Sequence, residues 1–245
     1  MQKRFPISFS HSACLLGIYL LLSFAGCVMV IFRPVLSGDV RYLFLIWNLF
    51  LAWIPFVLSI ALFLLYQQFD GTKIRNVLLL FGGMVWLVFY PNAPYLLTDF
   101  IHLSGKNFDN YGLARIPVVE WYDLIMFSLF IFTGFLLGFI SLFLMQKLIS
   151  NRFNRSIGWI FTASVLFISS FGIYLGRFIR WNTWDILNHP VTLFFGIKNS
   201  FHKYSAMFTI CYGLFLLLIY FALYYITTLS MNQMTTQSNQ RSIRS

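Results

Sequence analysis

Six long apolar runs divide this 245-residue chain, and they constrain its fold more than any other feature. Each whole run reaches the roughly 20 residues that a helix needs to cross the hydrocarbon core of a bilayer. Only 10% of the residues are charged, well below the roughly one quarter usual in a soluble domain. The sequence therefore predicts an all-α polytopic membrane protein, a bundle of six transmembrane helices. The runs are Ala13–Phe32, Tyr42–Tyr66, Val77–Tyr90 with a continuation to Leu103, Leu124–Met145, Ser156–Gly176 and Tyr204–Leu229.

The predicted organisation is a single membrane domain with a short polar segment at each end. Residues 1–12 form a basic N-terminal segment, residues 13–229 hold the six helices, and residues 230–245 form a polar, disordered tail. The net charge of +10 lies mainly in the short loops and at the two ends. We attribute it to contact with anionic lipid and to helix orientation, not to nucleic acid. The expected partner is therefore the lipid bilayer, with an anionic lipid or lipid-linked substrate, and protein partners stay undefined.

An even number of spans places both termini on the same face of the membrane. When Arg177 and Arg180 are set aside as site candidates, Lys and Arg are more numerous on the face of the termini. The positive-inside rule then predicts a multi-pass protein with both termini in the cytoplasm. The loops after the third and fifth spans share the opposite face. Together they hold five of the seven acidic residues and three of the four histidines.

Two prolines, Pro91 and Pro94, interrupt the third run. Proline has no backbone N–H and disfavours helix in the residue before it, so the helix should end near Phe89 and restart at about Pro94. The Tyr90 carbonyl would lose its usual partner and, with the Asn92 amide, would form a small polar point at or near membrane depth. Broken helices of this kind bind ions and anionic groups in transporters. The alternative interpretation is a plain proline turn at the interface.

A carboxylate and an imidazole follow this interruption. If the segment Tyr95–Leu103 is helical, Asp99 and His102 lie three residues apart on one face. Such a pair suits general base catalysis, a proton relay or metal binding, so both residues are candidate catalytic residues. The alternative is a hydrogen bond that only fixes the loop. Because no dense spacing of metal ligands appears, we predict no metal site and no cofactor.

A second polar block follows the fifth run. On a helix, Arg177, Arg180, Trp181 and Trp184 would form one stripe of arginine and tryptophan. The arginine fork binds carboxylate or phosphate, and tryptophan stacks on sugars or cations. The alternative is an interfacial anchor of snorkelling arginines and belt tryptophans. Our candidate substrate-binding residues are Asn92, Arg177, Arg180, Trp181, Asn182, Trp184 and Asp185.

The loops after the third and fifth spans carry opposite net charge. A partly desolvated arginine without a partner at membrane depth is costly, by about 2.5–3.5 kcal/mol on insertion scales. We therefore predict that Asp99 or Asp185 pairs with Arg177 or Arg180 across the two loops. Such a pairing would bring the two polar blocks into one site.

The two blocks, in this order and spacing, resemble a bacterial multi-pass membrane family catalogued as domain of unknown function 1361. The similarity extends from about the second span to the sixth. The resemblance implies an integral protein of a bacterial cell membrane and gives no activity and no residue role. The matching stretches are Tyr90-Pro91-Asn92-Ala93-Pro94-Tyr95-Leu96-Leu97-Thr98-Asp99 with His102, and Arg177-Phe178-Ile179-Arg180-Trp181-Asn182-Thr183-Trp184-Asp185.

Three functions from different classes agree with these features. The first is a membrane-embedded enzyme or binding site for an anionic, lipid-linked or cell-envelope molecule, at a polar site where the two loops meet. The second is a small-solute or ion transporter that uses the broken third helix. The third is a non-catalytic membrane assembly partner whose polar blocks are structural. The sequence does not decide whether the protein is an enzyme.

Overall fold

The computed structural model describes residues 9–38, 40–68, 72–103, 118–181, 188 and 190–244, and its regular secondary structure in these ranges is helical. Six segments within these ranges are long and apolar enough to cross a membrane, which confirms the all-α polytopic class. The choice of membrane and the side of the termini stay predictions. The six segments are Cys14–Leu36, Phe44–Gln68, Lys73–Leu103, Val118–Arg152, Arg155–Ile179 and Lys203–Ser230.

Ten helical elements follow one another in the described residues. The third span consists of two α-helices and a 3-10 helix, and the fifth ends in a π turn. In chain order the elements are α1 (Phe9–Ser37), α2 (Phe44–Gln68), α3 (Lys73–Phe89), α4 (Asn92–Tyr95), the 3-10 helix Leu96–Leu103, α5 (Val118–Arg152), α6 (Arg155–Tyr174), the π turn Leu175–Ile179, α7 (Pro190–Asn199) and α8 (Lys203–Arg244).

The chain divides into two compact units, and each is described by itself. The first unit, Phe9–Leu148, contains α1 to α4, the 3-10 helix and most of α5. The second contains α6, the π turn, α7 and α8. The single domain predicted over residues 13–229 stays a prediction.

Large apolar side chains form the core of the first unit. A hydrogen-bond chain also ties three of its helices together, because the Trp86 indole donates to Ser141 Oγ at 2.8 Å and that hydroxyl donates to the Pro55 carbonyl at 2.8 Å. Where lipid surrounds the helices, such packing and interhelical hydrogen bonds replace the hydrophobic effect as the force that holds them together. The fully buried side chains include Leu45, Ala52, Leu96, Met126, Phe127, Ile131 and Leu137.

Two glycines in α5 let the third span approach closely. Gly134 and Gly138 lie four residues apart, a small-residue spacing that predicts tight helix packing. A Cβ at Gly134 would stand 2.5 Å from Cδ1 of Leu96, and one at Gly138 would stand 3.0 Å from Cβ of Ala93. The spacing therefore has the packing role expected of it, and it fixes α4 and the start of the 3-10 helix against α5.

The interruption of the third span is milder than predicted. Helix α3 does end at Phe89, as expected, but Tyr90 and Pro91 both keep right-handed helical dihedrals. Helix α4 begins at Asn92 and not at Pro94. The span therefore changes its hydrogen-bonding pattern without unwinding.

New backbone hydrogen bonds replace those that the prolines remove. The Tyr90 carbonyl accepts from the Ala93 N–H at 3.1 Å, and the Pro91 carbonyl accepts from the Tyr95 N–H at 2.9 Å. As predicted, the Tyr90 carbonyl lacks its usual partner four residues ahead, because Pro94 has no backbone N–H. The expectation of a free polar point at this carbonyl was wrong, because a bond three residues ahead replaces the missing one.

In the second unit, α6 and α8 pack against each other along their lengths. The Asn154 side chain caps the start of α6 by accepting from the Ile157 N–H at 2.8 Å. Near the same end, the ring of Trp159 packs edge-on against the ring of Tyr224, with ring centroids 4.8 Å apart. The pair of helices is thus fixed by aromatic contacts.

The last helix extends further than the sequence predicts. Helix α8 continues to Arg244, whereas a disordered tail was predicted from residue 230. The sequence after Gly213 contains no glycine and no proline, so no strong helix breaker interrupts it.

Candidate functional site

Asp99 is the centre of a polar cluster in the first unit. Its side chain is 0% exposed. The Asn48 amide donates to its Oδ2 at 3.1 Å, and His102 Nε2 lies 3.9 Å from its Oδ1. Because a 3-10 helix has three residues per turn, residues three apart stand directly above one another. The prediction that Asp99 and His102 share a face is therefore confirmed.

His102 lies between two phenyl rings. Its ring centroid is 5.0 Å from that of Phe44 and 6.2 Å from that of Phe127. The side chain is nevertheless 38% exposed. The rings restrict the orientation of the imidazole while one edge stays accessible, and a buried carboxylate stands behind it. This arrangement is suited to proton transfer by a positioned histidine.

Asn48 also belongs to this cluster, although the sequence did not predict it as a site residue. It lies in α2, 51 residues from Asp99. Its sequence signal is a single amide inside an otherwise apolar span, where a polar side chain is costly unless it has a partner. That signal predicts a polar contact, but it does not say which residue makes the contact.

A buried ion pair lies beside the cluster. Arg33 Nε donates to Asp123 Oδ1 at 3.0 Å and Nη2 donates to Oδ2 at 3.1 Å, and both side chains are at most 4% exposed. The guanidinium carbon stands 4.4 Å from the ring centroid of Tyr42. Tyr42 packs edge-on against Phe127 at 4.9 Å. Because Phe127 also contacts His102, aromatic rings connect the ion pair to the imidazole.

This ion pair was not predicted from the sequence, and the reason is local. The first apolar run ends at Phe32, so the sequence predicts that Arg33 lies in the following loop. Helix α1 instead continues to Ser37, and it ends where the Gly38 N–H donates to the Pro34 carbonyl at 2.7 Å. Gly38 has a φ of 70°, the left-handed conformation that commonly ends a helix. Arg33 is therefore held inside the helix.

Asn92 has a local partner in the structure. Its Nδ2 donates to the Phe89 carbonyl at 2.9 Å, so its amide covers the carbonyl at the end of α3. This contact needs no ligand. The assignment of Asn92 to substrate binding stays a prediction.

The end of the fifth span is the most irregular backbone among the described residues. Helix α6 widens after Tyr174 into the π turn Leu175–Ile179. Arg180 follows with a φ of 63° and is the only described non-glycine residue with a positive φ. The backbone N–H groups of Arg180 and Trp181 both donate to the Leu175 carbonyl. Single π turns inside helices occur frequently at functional sites.

The predicted stripe of arginine and tryptophan does not form at Arg177, Arg180 and Trp181, the members that the structure describes. It requires a regular helix through Arg177 and Arg180, but the π turn and the left-handed Arg180 end the helix. Arg177 and Trp181 are half-buried, whereas Arg180 is exposed. The substrate-binding role of these residues, and the pairing of Asp99 or Asp185 with Arg177 or Arg180, stay predictions. Three candidates lie outside the described residues, namely Asn182, Trp184 and Asp185.

The six helices of the described residues that are long and apolar enough to cross a bilayer define a multi-pass membrane protein. The family model described as "Protein of unknown function (DUF1361)" matches residues 47–219, more than half of the chain, so the chain belongs to this family. The match confirms the resemblance drawn from the two polar blocks. Neither a curated protein nor a solved structure matches the chain. The matched range contains Asn48, Asp99, His102 and Asp123, whereas Arg33 precedes it.

Proposed function

We propose that this protein is a membrane-embedded enzyme that acts on an anionic, lipid-linked molecule, with His102 as its general base and Asp99 as the residue that orients it. One observation carries the proposal. A fully buried Asp99 carboxylate is held by Asn48 on one oxygen and faces the partly exposed His102 with the other. A purely structural hydrogen bond between Asp99 and His102 would not require that one imidazole edge stay accessible.

The chemistry that this pair supports is acid–base catalysis. His102 accepts the proton of an attacking water or hydroxyl group and returns it to the leaving group, while the Asp99 carboxylate stabilises the imidazolium. The separation of 3.9 Å between Nε2 and Oδ1 exceeds a hydrogen bond. Such contacts are commonly long without substrate and shorten when it binds.

The surroundings of His102 favour an amphiphilic substrate. The rings of Phe44 and Phe127 lie beside the imidazole. A molecule that reaches the imidazole therefore meets apolar side chains, as the chain of a lipid-linked substrate would. The net charge of +10 favours an anionic head group.

Transport receives less support from the third span. The Tyr90 and Pro91 carbonyls and the Asn92 amide all have partners within the chain. An unwound segment that coordinates ions would need such groups to face a cavity. We therefore do not propose transport.

The test is turnover by the purified protein in vesicles of phosphatidylethanolamine and phosphatidylglycerol that contain a polyprenyl diphosphate, with products identified by mass spectrometry. We expect Asp99→Asn and His102→Gln each to lower the rate by about 10²–10⁴-fold. The control is Ile101→Val, a conservative change between the two residues, which should keep the wild-type rate.

Turnover by His102→Gln at the wild-type rate would refute the proposed base. Absence of turnover by the wild type, together with a stoichiometric complex with another membrane protein, would favour the assembly role instead.

A further inference from the structure

Tyr174 and His202 form a polar pair in the second unit that the proposed function does not use. Tyr174 lies at the end of α6, directly before the π turn, and His202 directly precedes α8. The Tyr174 Oη is 3.2 Å from His202 Nε2. The tyrosine is buried, with 7% of its surface exposed, whereas the histidine is exposed.

The backbone around His202 assigns its hydrogen positions. The Ser205 N–H points at Nδ1 from 3.4 Å, and the His202 N–H donates to Ser205 Oγ at 3.2 Å. This reciprocal pair resembles a capping box at the start of α8. Because Nδ1 accepts a hydrogen bond, the hydrogen of the neutral imidazole lies on Nε2.

That tautomer determines what the Tyr174 hydroxyl can do. Nε2–H donates to the hydroxyl oxygen, so the hydroxyl hydrogen must find a different acceptor. No described residue supplies one. A hydroxyl that accepts one hydrogen bond becomes a stronger donor in the next. A buried donor that lacks an acceptor points to an oxygen supplied by a ligand.

The charge of this stretch indicates the kind of oxygen. Four basic residues lie in the sequence around the pair, namely Arg177, Arg180, Lys198 and Lys203, against one acidic residue, Asp185, which lies outside the described residues. We propose that Tyr174 and His202 form a binding site for a phosphate-type oxyanion at the end of α6. The Tyr174 hydroxyl donates to the anion, and His202 positions and polarises that hydroxyl.

The variants separate the hydroxyl from the packing of its ring. Tyr174→Phe removes only the hydroxyl, since the ring can keep its stacking on Phe178 at 4.8 Å. His202→Asn keeps a side-chain acceptor for the start of α8 and removes the Nε2–H. Tyr204→Phe is the matched control, because its ring lies 6.1 Å from the same imidazole but the residue is 72% exposed.

The experiment titrates the full chain in dodecyl maltoside, a detergent without phosphate, with inorganic phosphate or with short-chain phosphatidylglycerol. Affinity is read from the ligand-induced rise in unfolding temperature, with sodium chloride at equal ionic strength as the reference. We expect the wild type to bind and Tyr174→Phe to bind at least tenfold more weakly. His202→Asn should be at least threefold weaker, and Tyr204→Phe should stay within twofold of the wild type.

Tighter binding of phosphatidylglycerol would identify a lipid head group, and equal or weaker binding would identify free phosphate. Either result supports the site. Wild-type protein that binds neither ligand, or Tyr174→Phe within twofold of the wild type, would overturn it. The inference does not rest on catalysis by His102, because binding is measured without turnover.

Discussion

The third and fifth spans both leave the regular α-helix before they end, and they do so in different ways. In the third span, Tyr90 and Pro91 keep right-handed dihedrals and new hydrogen bonds satisfy the backbone. The fifth span widens into a π turn and ends at Arg180 in the left-handed conformation. An L-residue other than glycine pays roughly 1–2 kcal/mol for that conformation. Only the fifth span therefore ends in a costly backbone conformation.

The polar groups near the ends of the third and fifth spans also differ. In the first unit the buried carboxylates have partners within the unit, Asn48 for Asp99 and Arg33 for Asp123. In the described part of the second unit no side-chain carboxylate is present, and with the inferred His202 tautomer the Tyr174 hydroxyl keeps a hydrogen to donate. Two buried carboxylates of the first unit are thus satisfied within that unit, whereas we propose that the second unit receives a negative charge from outside.

The largest expected effect comes from the ion pair of the first unit. Asp123→Ala leaves the buried Arg33 guanidinium without its carboxylate, and we expect the free energy of unfolding to fall by about 3–5 kcal/mol. The double variant Arg33→Met/Asp123→Leu removes both charges and should be less destabilised than either single change. Reversible unfolding in mixed micelles measures these differences. Arg155→Ala, at an exposed arginine, is the control. If Asp123→Ala and Arg155→Ala lowered the free energy of unfolding equally, the first unit would not depend on this ion pair.

The second-largest effect is expected from a change in the close packing that supports the Asp99 cluster. Gly134→Ala places a methyl group 2.5 Å from Leu96, and we expect a loss of about 1–3 kcal/mol from overpacking. Gly83→Ala meets nothing within 4 Å and should stabilise α3 by about 0.5–1 kcal/mol through helix propensity. The same unfolding assay compares the two. If both substitutions changed the free energy of unfolding in the same direction, the packing of α5 against Leu96 would not require a glycine at position 134.

The smallest effect tests the strained end of the fifth span. Arg180→Gly should raise the free energy of unfolding by up to about 1 kcal/mol, because glycine adopts the left-handed conformation without steric cost. Arg155→Gly changes the same residue type at the first position of α6 and should lower stability. If Arg180→Gly lowered the free energy of unfolding, the arginine side chain would stabilise the protein by more than the left-handed backbone conformation costs.

Much of the fold follows from the sequence because membrane insertion is decided by local hydropathy. With no water in the bilayer core, each apolar run of sufficient length must form a helix that satisfies its own backbone. The same local reasoning places the end of α3 at Phe89 before Pro91, and it puts Asp99 and His102 on one face. These features depend on residues that are neighbours in the chain.

The candidate site was only partly predictable, since its remaining members depend on the backbone near helix ends and on distant contacts. The stripe through Arg177 and Arg180 assumed a regular helix, and hydropathy carries no signal for a π turn. Arg33 appeared to lie in a loop because its run of apolar residues stops one position earlier. Its partner Asp123 is 90 residues away in the chain.

The sequence alone determined the membrane class, the six spans, the family and the Asp99–His102 pair. Only the tertiary structure decided that Asn48 holds Asp99, that Arg33 pairs with Asp123 and that Tyr174 meets His202. The physical reason is that hydropathy and helical spacing are properties of adjacent residues. The partner of a buried polar group is instead selected by which helix ends meet, and many different pairings would satisfy the same local pattern.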